Sequence, residues 1–184
     1  MRKSQTLQNR FSVNIALISI FSALWVALNL TVAPIGFMLT GLPTIHSLII
    51  FVTLLLVAWA TGQYGAASLV SIIGSVIVLF ANPLLLPVLG FIPAALLFDL
   101  ILLVNHHEVN LKSINIAIVS LASVLCAYAA AVVNGLLILN LDWTFTLTIW
   151  AGWNVLGGII GVIIALPIIG VLEKAQVKKV QTDI

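Results

Sequence analysis

Charge is what this sequence has least of. Its 184 residues include seven Lys and Arg against five Asp and Glu, 7% charged in all. A soluble domain carries about a quarter charged residues, so this composition excludes an ordinary water-exposed globule. Cysteine is as scarce. Cys126 stands alone, which excludes a disulfide framework and a cysteine metal cluster. Catalytic signatures are missing too. Without a Gly-x-x-x-x-Gly-Lys-Ser/Thr loop the chain cannot itself hydrolyse ATP. It has no His-Glu-x-x-His, no paired carboxylates inside an apolar segment and no serine in a catalytic constellation, so it reads as a non-enzyme. No segment alternates as a β-barrel strand would, and no pair of broken helices is duplicated as an inverted repeat. Asn105-His106-His107-Glu108 is the nearest thing to a metal motif. Adjacent histidines diverge on a helix and no third ligand stands at metal spacing, so a solvated loop is expected there. No cofactor, metal or nucleic acid is expected as a partner.

What is present is apolar: 62% of the chain is hydrophobic. A membrane-crossing helix needs about 20 such residues, and six segments qualify: Phe11–Val32, Thr44–Ala60, Gly65–Ala81, Leu84–Val104, Ile114–Asn140 and Phe145–Leu172. Only Asn82-Pro83 separates the third from the fourth. One helix over both would measure about 60 Å, twice the hydrocarbon thickness, so two spans are expected. The first segment has no cleavage site after it and too many companions for a secretory signal. The fold class expected is an all-α integral membrane protein. It forms a single membrane domain over residues 1–184, with short basic tails at 1–10 and 173–184. Arg2, Lys3 and Arg10 precede the first span, Lys112 lies between the fourth and fifth, and Lys174, Lys178 and Lys179 follow the last. Positive residues mark the cytoplasmic side. Six spans with both termini cytoplasmic place every one of them inside, in a multi-pass protein of the cell membrane.

Helix 1 carries Ser19, Ala23 and Ala27 at four-residue spacing, successive members about 40° apart, while Trp25 and Asn29 point roughly 200° from Ala23. One face is flat enough for another helix; the other is polar and aromatic. The following link, Ala33–Pro43, is apolar and rich in turn residues, and is expected to lie as a lid across an external pocket. Trp59 and Tyr64 fit an aromatic belt. Ala67, Ser71, Gly74 and Ser75 permit close packing of helix 3. Pro87, Gly90 and Pro93 predict a broken outer half for helix 4. Ser120, Ser123, Ala127, Ala130, Ala131 and Asn134 share a face of helix 5. Trp150, Trp153, Asn154, Gly157 and Gly161 fall within about 60° of Trp150 on helix 6, an aromatic-polar patch above a small-residue strip.

By depth, the polar and aromatic side chains gather in the outer half. A buried amide without a partner costs roughly 1 to 3 kcal/mol, so such residues face the bundle. Aromatic walls with a few polar groups build small-molecule pockets. The expected substrate-binding set is Trp25, Asn29, His46, Asn82, Asn134, Trp150, Trp153 and Asn154. Trp143, near a helix end, is expected in the outer belt. Asp99, the acid deep in helix 4, is expected to pack or snorkel at the inner side.

These features resemble a known family. Six helices in under 200 residues, the Ser19-x-x-x-Ala23-x-x-x-Ala27 stripe and the apolar first outer link are similar to the substrate-binding S components of energy-coupling factor (ECF) transporters. So are Asn82-Pro83, the run from Gly90-Phe91-Ile92-Pro93 to Phe98-Asp99, and the run from Trp153-Asn154 to Gly157-Gly158. The resemblance implies that the chain captures a vitamin from outside. A separate membrane-coupling subunit with two cytoplasmic ATPases then drives its release. It implies that Ser19, Ala23 and Ala27 meet that subunit, with serine a departure from the family's alanine, and that the first outer link gates the pocket. Nickel and cobalt members begin Met-His, whereas this chain begins Met1-Arg2. With no Lys or Arg outside, the substrate expected is a flat, weakly charged heterocycle such as a thiamine-type pyrimidine or riboflavin. The alternative is a small homodimeric carrier or channel, proton-coupled through Asp99. A third class is a structural protein that packs through the helix 6 strip and binds no ligand.

Overall fold

The computed structural model describes residues 2–175, with side chains described from residue 11 onward. Helix forms wherever the apolar runs allow it, because backbone groups with no water beside them must bond within their own segment. The elements are α1 (Arg2–Thr40), α2 (Thr44–Thr61), α3 (Ala66–Ala81), α4 (Pro83–Asn105), α5 (Ser113–Ile138) and α6 (Trp143–Lys174). No strand occurs among the described residues. Five of the helices are long and apolar enough to cross a membrane, and α3, at 16 residues, is a shorter apolar one. The chain is an all-α protein of the membrane-embedded kind.

Spatial neighbours are α1 and α2, α2 and α6, α6 and α5, α5 and α4, α4 and α3, and α3 and α1, so the six helices close a ring. Phe51, Leu54 and Leu55 of α2 and Phe91 and Phe98 of α4 fill its interior, all fully buried. Large apolar side chains such as Ile20, Phe80 and Ile163 stay exposed on the outside, as lipid-facing positions do. The strip on α6 closes the ring from within. Gly157 lies against the Thr44 carbonyl, and a Cβ at Gly161 would stand 3.1 Å from the Leu48 carbonyl oxygen. Glycine is needed at these crossings because the backbones touch. The strip is therefore covered by α2 of the same chain, which removes the basis for a structural protein packing through it.

Two expectations are corrected here. The first outer link is not a loop over its whole length. Helix α1 runs on through Ala33 and Pro34 to Thr40, and only Gly41–Pro43 connect it to α2. Pro34 forgoes one helical hydrogen bond, yet packing outweighs that. A Cβ on Gly36 would stand 2.7 Å from the Ile45 side chain, so this turn lies flat on the start of α2. The helix stops at Gly41, whose φ of +67° favours glycine and whose N–H caps the Phe37 carbonyl at 2.7 Å. Second, Trp59 does not sit in a belt. It is 4% exposed, with its indole N–H donating to Glu173 Oε1 at 3.3 Å, whereas Tyr64 is 56% exposed.

The break in α4 is where the prolines place it. Pro83–Gly90 forms a 3-10 turn with Leu85 outside helical geometry, and α-helix resumes at Phe91–Leu102. The facing ends of α5 and α6 are widened π turns, Val133–Ile138 and Thr146–Trp150. Gly135 on the first lets Thr146 of the second pack directly on its backbone.

Cross-contacts define the two ends of the ring. Asn14 donates to Gln63 Oε1 at 2.8 Å, Tyr64 meets His107 ring to ring at 5.3 Å, and Trp59 reaches Glu173. The start of α1, the close of α6 and Lys112 therefore share one end. The other end holds the α1–α2 turn, the 3-10 turn and the two π turns.

Candidate functional site

A cavity of about 510 Å³ opens at the end opposite the start of α1 and the close of α6. The outer turns of α1 supply Asn29, Ala33, Pro34, Phe37 and Met38 to its wall, and Pro43 and His46 come from the start of α2. Val78 of α3, the 3-10 turn of α4, Leu139 after α5 and Trp150 of α6 complete it. Every helix of the ring but α5 thus contributes a residue of its own. The extended α1 lines the pocket as helix, where a loop across it was expected.

Three lining side chains carry polar groups, and each keeps an atom without a protein partner: Asn29 Oδ1, His46 Nε2 and Trp150 Nε1. Asn29 is 1% exposed and donates through Nδ2 to the Trp25 carbonyl at 2.8 Å. Only the amide NH₂ can donate to a carbonyl, so its free atom is the acceptor oxygen. Trp150 presents a donor, since an indole nitrogen offers nothing else. The His46 ring leans on Phe91 at 4.9 Å, tilted by 55°, which fixes its plane. No Asp, Glu, Lys or Arg lines the cavity. All three atoms are sealed within the wall rather than open to the hollow, whose accessible surface is mainly apolar.

The other five members of the expected set lie elsewhere. Trp25 is fully buried in the seam between α1 and α3, with its indole against Gly74. Asn82 caps the 3-10 turn by accepting from Leu84 N–H at 3.1 Å. Asn134 is 3% exposed and packs on Gly90. Asn154 accepts from Ser47 Oγ at 2.5 Å and donates to the Trp150 carbonyl at 2.9 Å, tying α2 to α6. Trp153, one position earlier and about 100° round the helix, is 37% exposed on the outside. The apolar walls carried no polar signal to find them by. The only hint was proline: Pro34, Pro43 and Pro87 all line the cavity.

Ser19, Ala23 and Ala27 are exposed on α1, uncovered by any helix among the described residues. At the terminal end, Asp99 of α4 accepts from the Ser68 backbone N–H at 2.8 Å and from its hydroxyl at 2.5 Å. Gly65, before α3, has no side chain to cap that helix, and Asp99 does so from a neighbouring helix, where its charge also meets the positive end of the α3 dipole. His107 is not solvated as expected. It is 6% exposed, under the Tyr64 ring, while His106 faces out. Burial lowers the His107 pKa from its ordinary 6.5, opposed by the Asp99 charge. Among the described residues no group of three His, Cys, Asp or Glu could hold a metal ion.

The ring defines a class: an all-α, membrane-embedded helical protein, with a cavity at one end. Compared with family models, with curated proteins and with solved structures, the chain matches none.

Proposed function

We propose that this chain is the substrate-capture subunit of an energy-coupling factor importer. It sits multi-pass in the cell membrane with its termini cytoplasmic and its cavity facing out. It takes up a vitamin-like heterocycle and hands it to a membrane-coupling subunit driven by two cytoplasmic ATPases. The observation that carries this reading is the cavity, mainly apolar and opposite the start of α1, the close of α6 and the Lys112 side. The uncovered stripe of Ser19, Ala23 and Ala27 on the outside of α1 supports a docking role for that helix. A proton-coupled carrier is less well supported, because Asp99 caps α3 at the far end and does not line the cavity.

Native mass spectrometry of the purified protein tests capture. A small molecule should remain bound to the wild type and be lost from Ala33→Trp, which fills the cavity. Equal retention by both would move the site elsewhere and end this proposal.

A further inference from the structure

The surface of the cavity says which cargo it takes, an inference that rests on the cavity being the capture site. The accessible wall of the hollow is mainly apolar. Its polar side chains do not break that surface, because the unpartnered atoms Asn29 Oδ1, His46 Nε2 and Trp150 Nε1 are all sealed within the wall. The backbone adds few donors. Pro34, Pro43 and Pro87 line the hollow, and proline has no N–H to offer. No Asp, Glu, Lys or Arg lines it, and its exposed rim residues Phe37, Met38, Leu84 and Leu139 are apolar. Asp142, in the link from α5 to α6, is the one charged residue at this end among the described residues, and it is an acid. A volume of about 510 Å³ falls in the range of pockets that enclose a small molecule.

We infer that the cavity selects an uncharged, carbon-rich ring compound, held by burial of apolar surface rather than by hydrogen bonds or charge. An alkylated chroman, two fused rings with a single ether oxygen, is a heterocycle of that kind. Burial supplies the affinity: each further methylene enclosed tightens binding about fourfold relative to water. Polarity subtracts from it. An amide in the ring gives up its hydrogen bonds to water and meets no open partner side chain on the wall. A carboxylate loses its water with no counter-charge in exchange, and Asp142 at this end repels it. A phospholipid fails on the same ground: its acyl chain suits the hollow, but its phosphate finds no Lys or Arg at the mouth.

Matched two-ring probes test the class. They are chroman, 2-quinolone (an amide on the same outline) and chroman-2-carboxylate (an anion). Each is measured by saturation-transfer NMR on the full chain in nanodiscs, with binding to empty nanodiscs subtracted. Ala33→Trp and Val88→Phe fill the hollow from two different helices. Circular dichroism checks that each variant keeps its helices, and one folded variant suffices. Native mass spectrometry reads the phospholipid that each protein retains. The expected result is that chroman binds at least tenfold more tightly than 2-quinolone, that the carboxylate does not displace it, and that filling the hollow weakens it at least tenfold. If 2-quinolone or the carboxylate binds as tightly as chroman and is lost on filling, the cavity stands as the capture site and the apolar class is wrong. If phospholipid held by the wild type is lost on filling and chroman does not displace it, the occupant is an acyl chain and the free solute falls. If no probe shows binding that filling weakens, the cavity is not the capture site and both readings fall.

Discussion

At the scale of single residues, identity alone did not separate residues that line the cavity from those that only hold helices together. Asn29, Asn82, Asn134 and Asn154 are the same side chain on the same outer half of the bundle, yet they do four different things. Asn82 caps a turn, Asn154 joins two helices, Asn134 fills the space over Gly90, and Asn29, alone of the four, belongs to the cavity wall. Val88→Phe, which narrows the cavity from its buried wall, should weaken ligand binding at least tenfold, about 1.4 kcal/mol or more. Asn82→Ala and Trp153→Ala should leave it unchanged, as a titration of the same ligand will show. Asp99→Leu should cost about 1 to 3 kcal/mol of stability, since it removes two hydrogen bonds and the cap of α3. Ligand affinity should survive, because the two sites lie at opposite ends. His107 sets a pH dependence with Asp99 and Tyr64 facing it. Its pKa is lower folded than unfolded, so the unfolded chain binds the proton more tightly. Stability should be fullest above the ordinary value of 6.5 and fall as pH drops below it. His107→Phe should flatten that slope in thermal melts.

Among the elements, α1 and α6 carry the largest differences between pattern and fold. Turn-forming residues in Ala33–Pro43 describe a loop by propensity. Propensity is a weak prior, and a flat glycine turn against Ile45 holds the helix together for two more turns. That extension places Phe37 and Met38 over the cavity, which no residue-by-residue reading of a loop could locate. On α6 the π turn Thr146–Trp150 lets the indole of Trp150 face the cavity while Asn154, Gly157 and Gly161 face α2. Trp153, grouped with them by a 100° count, falls outside that contact. Gly157→Val should drive its side chain into the Thr44 backbone and cost about 2 to 3 kcal/mol or prevent folding. Ala151-to-Lys174 neighbours without such contact, such as Gly152, have open space for a Cβ. Gly152→Ala should therefore be neutral or slightly stabilising in the same unfolding assay.

For the whole molecule, the ring 1-2-6-5-4-3 decides which end of each helix meets which. It puts the cavity at one end and the termini, Lys112, Asp99 and His107 at the other. Two measurements check the proposed arrangement in the membrane. Met38→Cys should react with a membrane-impermeant maleimide on intact cells, and Lys174→Cys only after lysis; the buried native Cys126 stays silent. Reversal of that pattern would refute an outward cavity. Ala23→Trp, on the uncovered stripe, should abolish association with a coupling subunit while ligand affinity stays within about twofold, since Ala23 is exposed away from the cavity wall.

The sequence by itself determined that the chain is helical and membrane-embedded, how many helices it makes, and which face of α1 is buried. Those properties follow from local composition and from helical periodicity, which any apolar segment of this length expresses on its own. Only the tertiary structure decided that Asn29, His46 and Trp150 share one hollow while their look-alikes do not. Their positions lie far apart along the chain, on three helices, and they converge only because glycine strips and widened turns let those helices close a ring. Whether a polar side chain lines the hollow or packs between helices is a property of that closure.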